Sequence, residues 1–121
     1  KVLLIAGGVG VTPMRALFAA LPADVGDLTL LVRASSWAEV PLRAELDALA
    51  RQRGGRVGYL IGRRAHGYDP LQAGALQQIV PDLRDHDVFM CGPDGMTSAA
   101  HAALRRAGVP RRRIHTESFA F

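Results

Sequence analysis

The chain has few of the residues that build a covalently linked or metal-linked domain. A single one of its 121 residues is cysteine, Cys91, which excludes an internal disulfide framework and a multi-cysteine metal site. The four histidines lack the spacing of metal ligands, and we interpret them as surface or loop residues. One free cysteine also fits a reducing compartment, so we expect a cytoplasmic location.

Long apolar runs are lacking as well. The opening apolar run, residues 2–6, is too short for a signal-peptide core or a membrane span. The chain does not begin with Met, and we interpret it as one domain, residues 1–121, of a longer polypeptide. A membrane is therefore expected only through a transmembrane part elsewhere in that parent protein.

Basic charge is in excess, with a net charge of +4 and a sequence pI of about 10.2. Much of it comes from neighbouring arginines, as in Arg63-Arg64 and Arg105-Arg106. We interpret most of these as solubilising residues and one pair as a binding site for a small phosphate-bearing ligand. Nucleic acid is not expected, because no recognition motif is present and no aromatic residues alternate with the arginines.

Strand-like and helix-like segments alternate along the chain, which predicts an α/β fold with a doubly wound parallel sheet and helices on both faces. Helices are predicted from Thr12, with Thr12 as N-cap and Pro13 at the first helical position, and from about Pro41 to Gly54. Two more are predicted from Asp69-Pro70 to Pro81, and from the turn at residues 93–94 to Gly108. The predicted strands are residues 2–6, 28–32, 56–61, 87–91 and 113–117.

A glycine-rich turn, residues 7–13, follows the first predicted strand and leads into a helix. Glycines let backbone amides approach an anion, and a helix N-terminus favours negative charge, so a phosphate-binding turn is one interpretation. A tight strand-to-helix turn without a ligand is the other, since Pro13 stands where a third glycine would complete a dinucleotide fingerprint. This segment alone leaves both open.

A second glycine turn follows the fourth predicted strand, at residues 91–96. In an open parallel sheet, ligands bind beyond the carboxyl ends of the strands, and Cys91 stands at such an end. Cys91 taken by itself fits a small buried apolar side chain equally well.

Together, residues 7–13, residues 91–96 and the ending at residues 114–121 resemble the ferredoxin–NADP reductase superfamily. The resemblance spans the whole chain and implies a five-stranded parallel sheet in the order 3-2-1-4-5. It also implies an NAD(P)H-binding domain, with the superfamily's FAD-binding barrel on an upstream part of the parent chain. The Glu-x-Phe-x-Phe ending is similar to that of bacterial ferric-reductase-like membrane oxidoreductases.

The resemblance also implies roles for individual residues. The glycine loop would receive the dinucleotide pyrophosphate, and the Cys-Gly-Pro loop would lie beside the nicotinamide, while the C-terminal residues would approach the flavin. The first loop comprises Gly7, Gly8, Val9, Gly10, Thr12 and Pro13; the second comprises Cys91, Gly92, Pro93, Asp94 and Met96; the flavin-facing residues are Glu117 and Phe119 or Phe121.

The choice between NADPH and NADH depends on the adenosine ribose, which carries a phosphate only in NADPH. Arginine favours that phosphate and a carboxylate favours the free hydroxyl. The third predicted strand is followed by Arg63 and Arg64, and the second ends near Arg33. In NADP-dependent members a Ser-Arg pair is common at the third strand; Arg63 matches it and Gly62 does not. We therefore expect NADPH, with NADH as the alternative.

The expected function is hydride transfer from NAD(P)H to a flavin on a separate domain, with the isolated domain inactive as an enzyme. One alternative is a nucleotide-sensing or regulatory domain of the same fold, and another is a basic protein-interaction or nucleic-acid module. Cys91 and Glu117 favour the enzyme, because a sensor needs no groups facing the nicotinamide or the flavin.

Overall fold

A five-stranded parallel sheet forms the centre of the chain. The computed structural model describes residues 1–24, 26–62 and 71–119. The strands follow the order β3-β2-β1-β4-β5, as the resemblance implied. They are β1 (Val2–Gly7), β2 (Leu28–Ala34), β3 (Arg56–Ile61), β4 (Asp87–Pro93) and β5 (Ile114–Phe119).

Helices cover both faces of this sheet, which explains why the sequences of the central strands β1 and β2 are almost continuously apolar. Successive side chains of β1 point to opposite faces, so Leu3 and Ile5 pack on one side while Leu4 and Ala6 pack on the other. Side chains of α1 and α2 cover the second face, and those of α3 and α4 the first. The helices are α1 (Val11–Ala20), α2 (Arg43–Arg53), α3 (Ala73–Ile79) and α4 (Asp94–Arg106).

The start of α1 differs from the prediction. Gly10 is the N-cap residue, and no side chain caps the helix by a hydrogen bond, so the assignment of Thr12 as N-cap is wrong. A short 3₁₀ turn, Gly8–Gly10, runs directly into α1 and starts the helix before Thr12. Pro13 is thus the third helical residue, where its missing N–H still falls among those without an intrahelical partner.

Two leucines that fall within predicted helices lie outside the helices of the structure. Leu42 precedes α2 with a left-handed φ of 58° and is 41% exposed. Leu71 precedes α3, whose N-cap residue is Gln72. The predicted start of this helix, Asp69-Pro70, lies outside the described residues. Each helix therefore begins a few residues after its predicted start, α2 at Arg43 and α3 at Ala73, because the N-cap residue before it has a non-helical backbone conformation.

His86 is buried at the amino edge of the sheet, where the strands begin, and is only 3% exposed. Its position in a loop agrees with the interpretation as a surface or loop residue, and the structure adds that the side chain is buried. Its Nδ1 lies 3.0 Å from the carbonyl oxygen of Asp82, whose carboxylate is paired with Lys1. Burial lowers the pKa of His86 from its usual 6.5.

We predict that acid destabilises the chain through His86. Because its pKa is lower in the folded state than in the unfolded state, the unfolded chain binds more protons as the pH falls below about 6.5. The free energy of unfolding should therefore decrease from that pH until the folded-state pKa is passed. Urea unfolding at a series of pH values between 7.5 and 5, as rough limits, measures this.

His86→Gln should make the pH dependence of the free energy of unfolding shallower in this range. His101→Gln, on the half-buried side of α4, is the matched control for the loss of one histidine. If wild type and His86→Gln show the same slope against pH, the acid sensitivity comes from other groups.

Candidate dinucleotide-binding site

The strand ends predicted to carry the site lie side by side at the carboxyl edge of the sheet. Gly7 at the end of β1 pairs with Arg33 on β2, and Ala6 pairs with Cys91 on β4. Cys91 in turn pairs with Glu117 on β5. The chain winds outward from β1 in both directions, so the β1–β4 boundary is the point where the strand order reverses.

A cleft of about 410 Å³ opens at this edge. Its volume lies within the usual range of small-molecule sites, roughly 300–1,000 Å³. One wall comes from the ends of β1 and β4 and the start of α4, and the other from the end of β2 and the turn after it. The lining residues are Gly7, Gly8, Arg33, Ala34, Ser35, Glu39, Leu71, Pro93, Gly95, Met96 and Ala99.

Two glycines of the first loop have different roles in its structure. Gly10 is buried against the end of β4, and a Cβ built on it would overlap the backbone carbonyl of Cys91. Gly8 is exposed with a left-handed φ of 56°, and a Cβ there would meet nothing within 4 Å. Close packing thus explains Gly10 without a ligand. The open space at Gly8 and the adjacent N-terminus of α1 fit an anion.

Met96 lies between the two loops. A Cβ built on Gly7 would overlap the Met96 Sδ, and one built on Gly92 would lie 3.0 Å from it. The thioether therefore packs directly on the backbone of both loops and forms part of the cleft wall.

The opposite wall of the cleft is polar. The Nη1 atom of Arg33 donates hydrogen bonds to the carbonyl oxygens of Ala34 and Leu60, at 2.5 and 3.3 Å. These bonds hold the guanidinium group across the ends of β2 and β3. Ser35 and Glu39 line the same wall and supply a hydroxyl group and a carboxylate. The wall can therefore bind both phosphate and ribose hydroxyl groups.

Cys91 packs behind the cleft rather than in its wall. It is 3% exposed and belongs to the apolar cluster on the α1 side of the sheet. Burial raises the pKa of the Cys91 thiol, and the nearby Glu117 carboxylate raises it further. The thiol is thus held neutral near pH 7, which does not fit an activated thiolate nucleophile.

The predicted site residues fall into groups by location. The cleft wall includes Gly7, Gly8, Arg33, Pro93 and Met96. Buried behind it are Gly10, Cys91 and Gly92, and exposed around it are Val9, Thr12, Pro13, Asp94 and Glu117. The side chain of Phe119 and the whole of Arg63, Arg64 and Phe121 lie outside what the structure describes.

Six cleft residues were absent from the sequence-based prediction: Ala34, Ser35, Glu39, Leu71, Gly95 and Ala99. Gly95 could have been included, because it lies inside the second glycine motif. Glu39 offered no such signal, since it stands in a turn five residues beyond β2. Only the fold of that turn brings its carboxylate to the cleft.

A family model described as an oxidoreductase NAD-binding domain matches residues 4–102, which include both glycine loops. The chain belongs to this family. The NAD-binding domain thus carries the fold and the two loops that the resemblance to the ferredoxin–NADP reductase superfamily implied.

Curated relatives of this NAD-binding domain are reductase components. The glycine betaine monooxygenase reductase subunit of Pseudomonas aeruginosa is 31% identical over 98% of this chain and 35% of its own length. The ferredoxin reductase component of the 3-ketosteroid-9-alpha-monooxygenase of Mycobacterium tuberculosis is 34% identical over 97% of this chain and 33% of its own length. The chain therefore spans about a third of the length of the curated relatives it matches.

Solved structures show the same fold. The flavohem-like FAD/NAD-binding domain of the Vibrio cholerae nitric oxide dioxygenase matches with a TM-score of 0.74 and 26% identity, over 99% of this chain and 51% of that one. The Amycolatopsis cytochrome P450 reductase matches with a TM-score of 0.77 and 25% identity, over 100% of this chain and 38% of that one.

The ranges 1–24, 26–62 and 71–119 offer neither a membrane span nor a metal site. None of the helices there has the length and apolar composition needed to cross a membrane. Across the same residues, no three His, Cys, Asp or Glu side chains are grouped so as to hold a metal ion.

We predict that Gly10→Ala destabilises the domain. The added methyl group would overlap the Cys91 backbone, which cannot move without disturbing the pairing of β4 with β1. Overpacking of this kind costs about 1–3 kcal/mol. Urea unfolding of wild type and variant measures the difference.

Gly74→Ala is the matched control for this substitution. Gly74 lies in α3, where an added Cβ meets nothing within 4 Å. Alanine there should stabilise the domain by about 0.5–1 kcal/mol. Equal free energies of unfolding for wild type and Gly10→Ala would show that the close contact between Gly10 and the Cys91 backbone does not contribute to stability.

Proposed function

We propose that this domain binds NAD(P)H and presents its nicotinamide to an FAD held by another domain of the parent reductase. The observation that carries the proposal is the cleft at the β1–β4 boundary. The glycine loop after β1 bounds it, together with the start of α4, the helix that follows the second glycine loop. The relatives support a reductase, and the share of their length that this chain spans supports a flavin domain outside residues 1–121.

The residues around the cleft fit a dinucleotide. The exposed backbone at Gly8 and the positive end of the α1 dipole suit the pyrophosphate, with Gly7, Val9 and Gly10 shaping the loop. The hydroxyl group of Thr12 is exposed beside them and available as a further donor. Pro13 keeps the first turn of α1 in helical geometry.

We assign the nicotinamide end to the loop after β4. When bound, the nicotinamide supplies a hydride and the flavin accepts it. The Gly92-Pro93 backbone limits how deeply the ring enters, with the small, neutral Cys91 side chain packed behind it. Asp94 begins the helix that follows this loop. Glu117 pairs with Cys91 across the strands, on the side we assign to the flavin together with Phe119 or Phe121.

We assign the adenosine end to the polar wall at Arg33. Guanidinium groups favour the 2′-phosphate of NADPH. Arg33 lies at the end of β2, which pairs with the end of β3, and Arg63 and Arg64 follow β3 in the sequence. Glu39 lines the same wall, and its carboxylate suits a ribose hydroxyl group. We propose NADPH as the preferred cofactor, because three arginines outnumber one carboxylate.

The narrower proposal concerns the parent protein. The Glu-x-Phe-x-Phe motif at residues 117–121 supports a ferric-reductase-like enzyme with this domain on the cytoplasmic side of a membrane. The oxygenase reductases among the relatives support a redox protein as electron acceptor instead. Steady-state reduction of chelated ferric iron by the parent protein in NADPH, compared with reduction of a ferredoxin, discriminates the two.

Cofactor binding by this chain tests the main proposal. Trp37 is the sole tryptophan and lies between the cleft residues Ser35 and Glu39. Bound NADPH should quench its emission by energy transfer, because tryptophan emission overlaps the absorption of reduced nicotinamide. We predict a dissociation constant of roughly 10 μM to 1 mM, since no flavin stacks on the ring. AMP and 2′-phospho-AMP should compete.

Free N-acetyltryptophanamide in the same titration is the control for light absorbed by the cofactor. Isothermal titration with 2′-phospho-AMP measures binding independently of fluorescence. If neither method detects binding at millimolar concentrations, this cleft is not a dinucleotide site.

We further predict that Arg63→Ala weakens NADPH much more than NADH. Loss of a charged hydrogen bond costs about 1.5–3 kcal/mol, which corresponds to roughly ten- to hundred-fold in affinity. NADH lacks the 2′-phosphate and should be bound almost as before. The energy-transfer titration gives both dissociation constants.

Arg51→Ala removes an equal charge from the exposed surface of α2 and should leave the ratio of the two affinities unchanged. Equal losses of NADPH and NADH affinity in Arg63→Ala would reject a role for Arg63 in cofactor choice.

A further inference from the structure

The three methionines of the chain differ in their access to solvent. Met14 and Met90 are 5% and 1% exposed and lie within the two apolar clusters. Met96 is half-buried and forms part of the wall of the cleft. Part of the Met96 side chain thus contacts solvent in the folded chain, whereas the side chains of the other two methionines are covered.

The nearest alternative target for an oxidant is poorly reactive. Oxidation of cysteine proceeds through the thiolate, and the Cys91 thiol is 3% exposed and held neutral by burial. Among the four sulfur-containing side chains of the chain, that of Met96 is therefore the most exposed.

Space around Met96 is restricted on the side of the two loops. Its Sδ and Cε atoms occupy the positions where side chains on Gly7 and Gly92 would begin. An oxygen atom added to the sulfur finds no room on that side. It must either project into the cleft or displace Met96 from between the loops.

We propose that Met96 is a site of reversible oxidation by hydrogen peroxide, and that its sulfoxide closes the cleft to the dinucleotide. In this reaction the O–O bond of the peroxide breaks, one oxygen atom bonds to Sδ, and the other leaves as water. The sulfur loses two electrons and the peroxide gains them. A methionine sulfoxide reductase reverses the change with electrons from a thiol.

The effect on binding comes from the chemistry of the sulfoxide. Oxidation turns an apolar, flexible side chain into a polar one with an added oxygen atom. At Met96 this oxygen either occupies the cleft or displaces the side chain from between the loops that shape it. This second part of the inference rests on the proposed function of the cleft, whereas the oxidation itself does not.

Peptide mapping by mass spectrometry after exposure to millimolar hydrogen peroxide tests the modification. We expect the peptide that contains Met96 to gain one oxygen atom about ten-fold faster than those with Met14 or Met90. Comparable rates at the three methionines, or earlier oxidation of Cys91, would overturn the proposal.

NADPH titrations before and after peroxide test the consequence. Wild type should lose about three-fold or more in affinity and regain it after methionine sulfoxide reductase. Met96→Leu, which keeps most of the side-chain volume, should show the same affinity before and after treatment. Met14→Leu is the matched control and should respond to peroxide as wild type does.

Unchanged affinity after complete oxidation of Met96 would overturn the closing of the cleft. A failure of the untreated chain to bind any nicotinamide cofactor would contradict the proposed function of the cleft instead. The mass measurement still decides the modification in that case, because it does not depend on cofactor binding.

Discussion

The arrangement of the site depends on the close approach of the glycine loop to the end of β4. At Gly10 the two segments meet backbone to backbone, and a single added carbon would overlap the Cys91 carbonyl. Because protein interiors are packed as densely as crystals, such a contact leaves little freedom in either segment. It places the N-terminus of α1 beside the loop that opens α4, and both loops therefore meet at one cleft.

The two walls of the cleft differ in chemistry because the chain leaves the strands in two different ways. After β1 and β4 it turns at once into helices, so backbone, proline and the thioether of Met96 form one wall. After β2 it makes a longer turn, which leaves room for the polar side chains of Arg33, Ser35 and Glu39. A dinucleotide combines flat rings with phosphates and hydroxyl groups, and this pairing of walls suits both parts.

Local patterns in the sequence failed where a short turn or a tertiary contact decided the outcome. The propensity of Thr12 for an N-cap was overridden by a 3₁₀ turn that starts α1 at Val11. Leu42 matches the apolar period of α2, yet a left-handed turn leaves it exposed ahead of the helix. His86 is buried directly after a short 3₁₀ turn that precedes β4, and no apolar period in the sequence includes it.

By itself, the sequence determined the parallel doubly wound sheet and the position of both loops at its carboxyl edge. Apolar runs that end in glycine turns are local patterns, and such patterns can be recognised from neighbouring residues alone. Tertiary structure decided the rest: that Gly10 serves packing while Gly8 stays open, that Cys91 lies behind the cleft, and that Glu39 reaches it. These features depend on distances between segments far apart in the chain, and such distances exist only once the strands have paired.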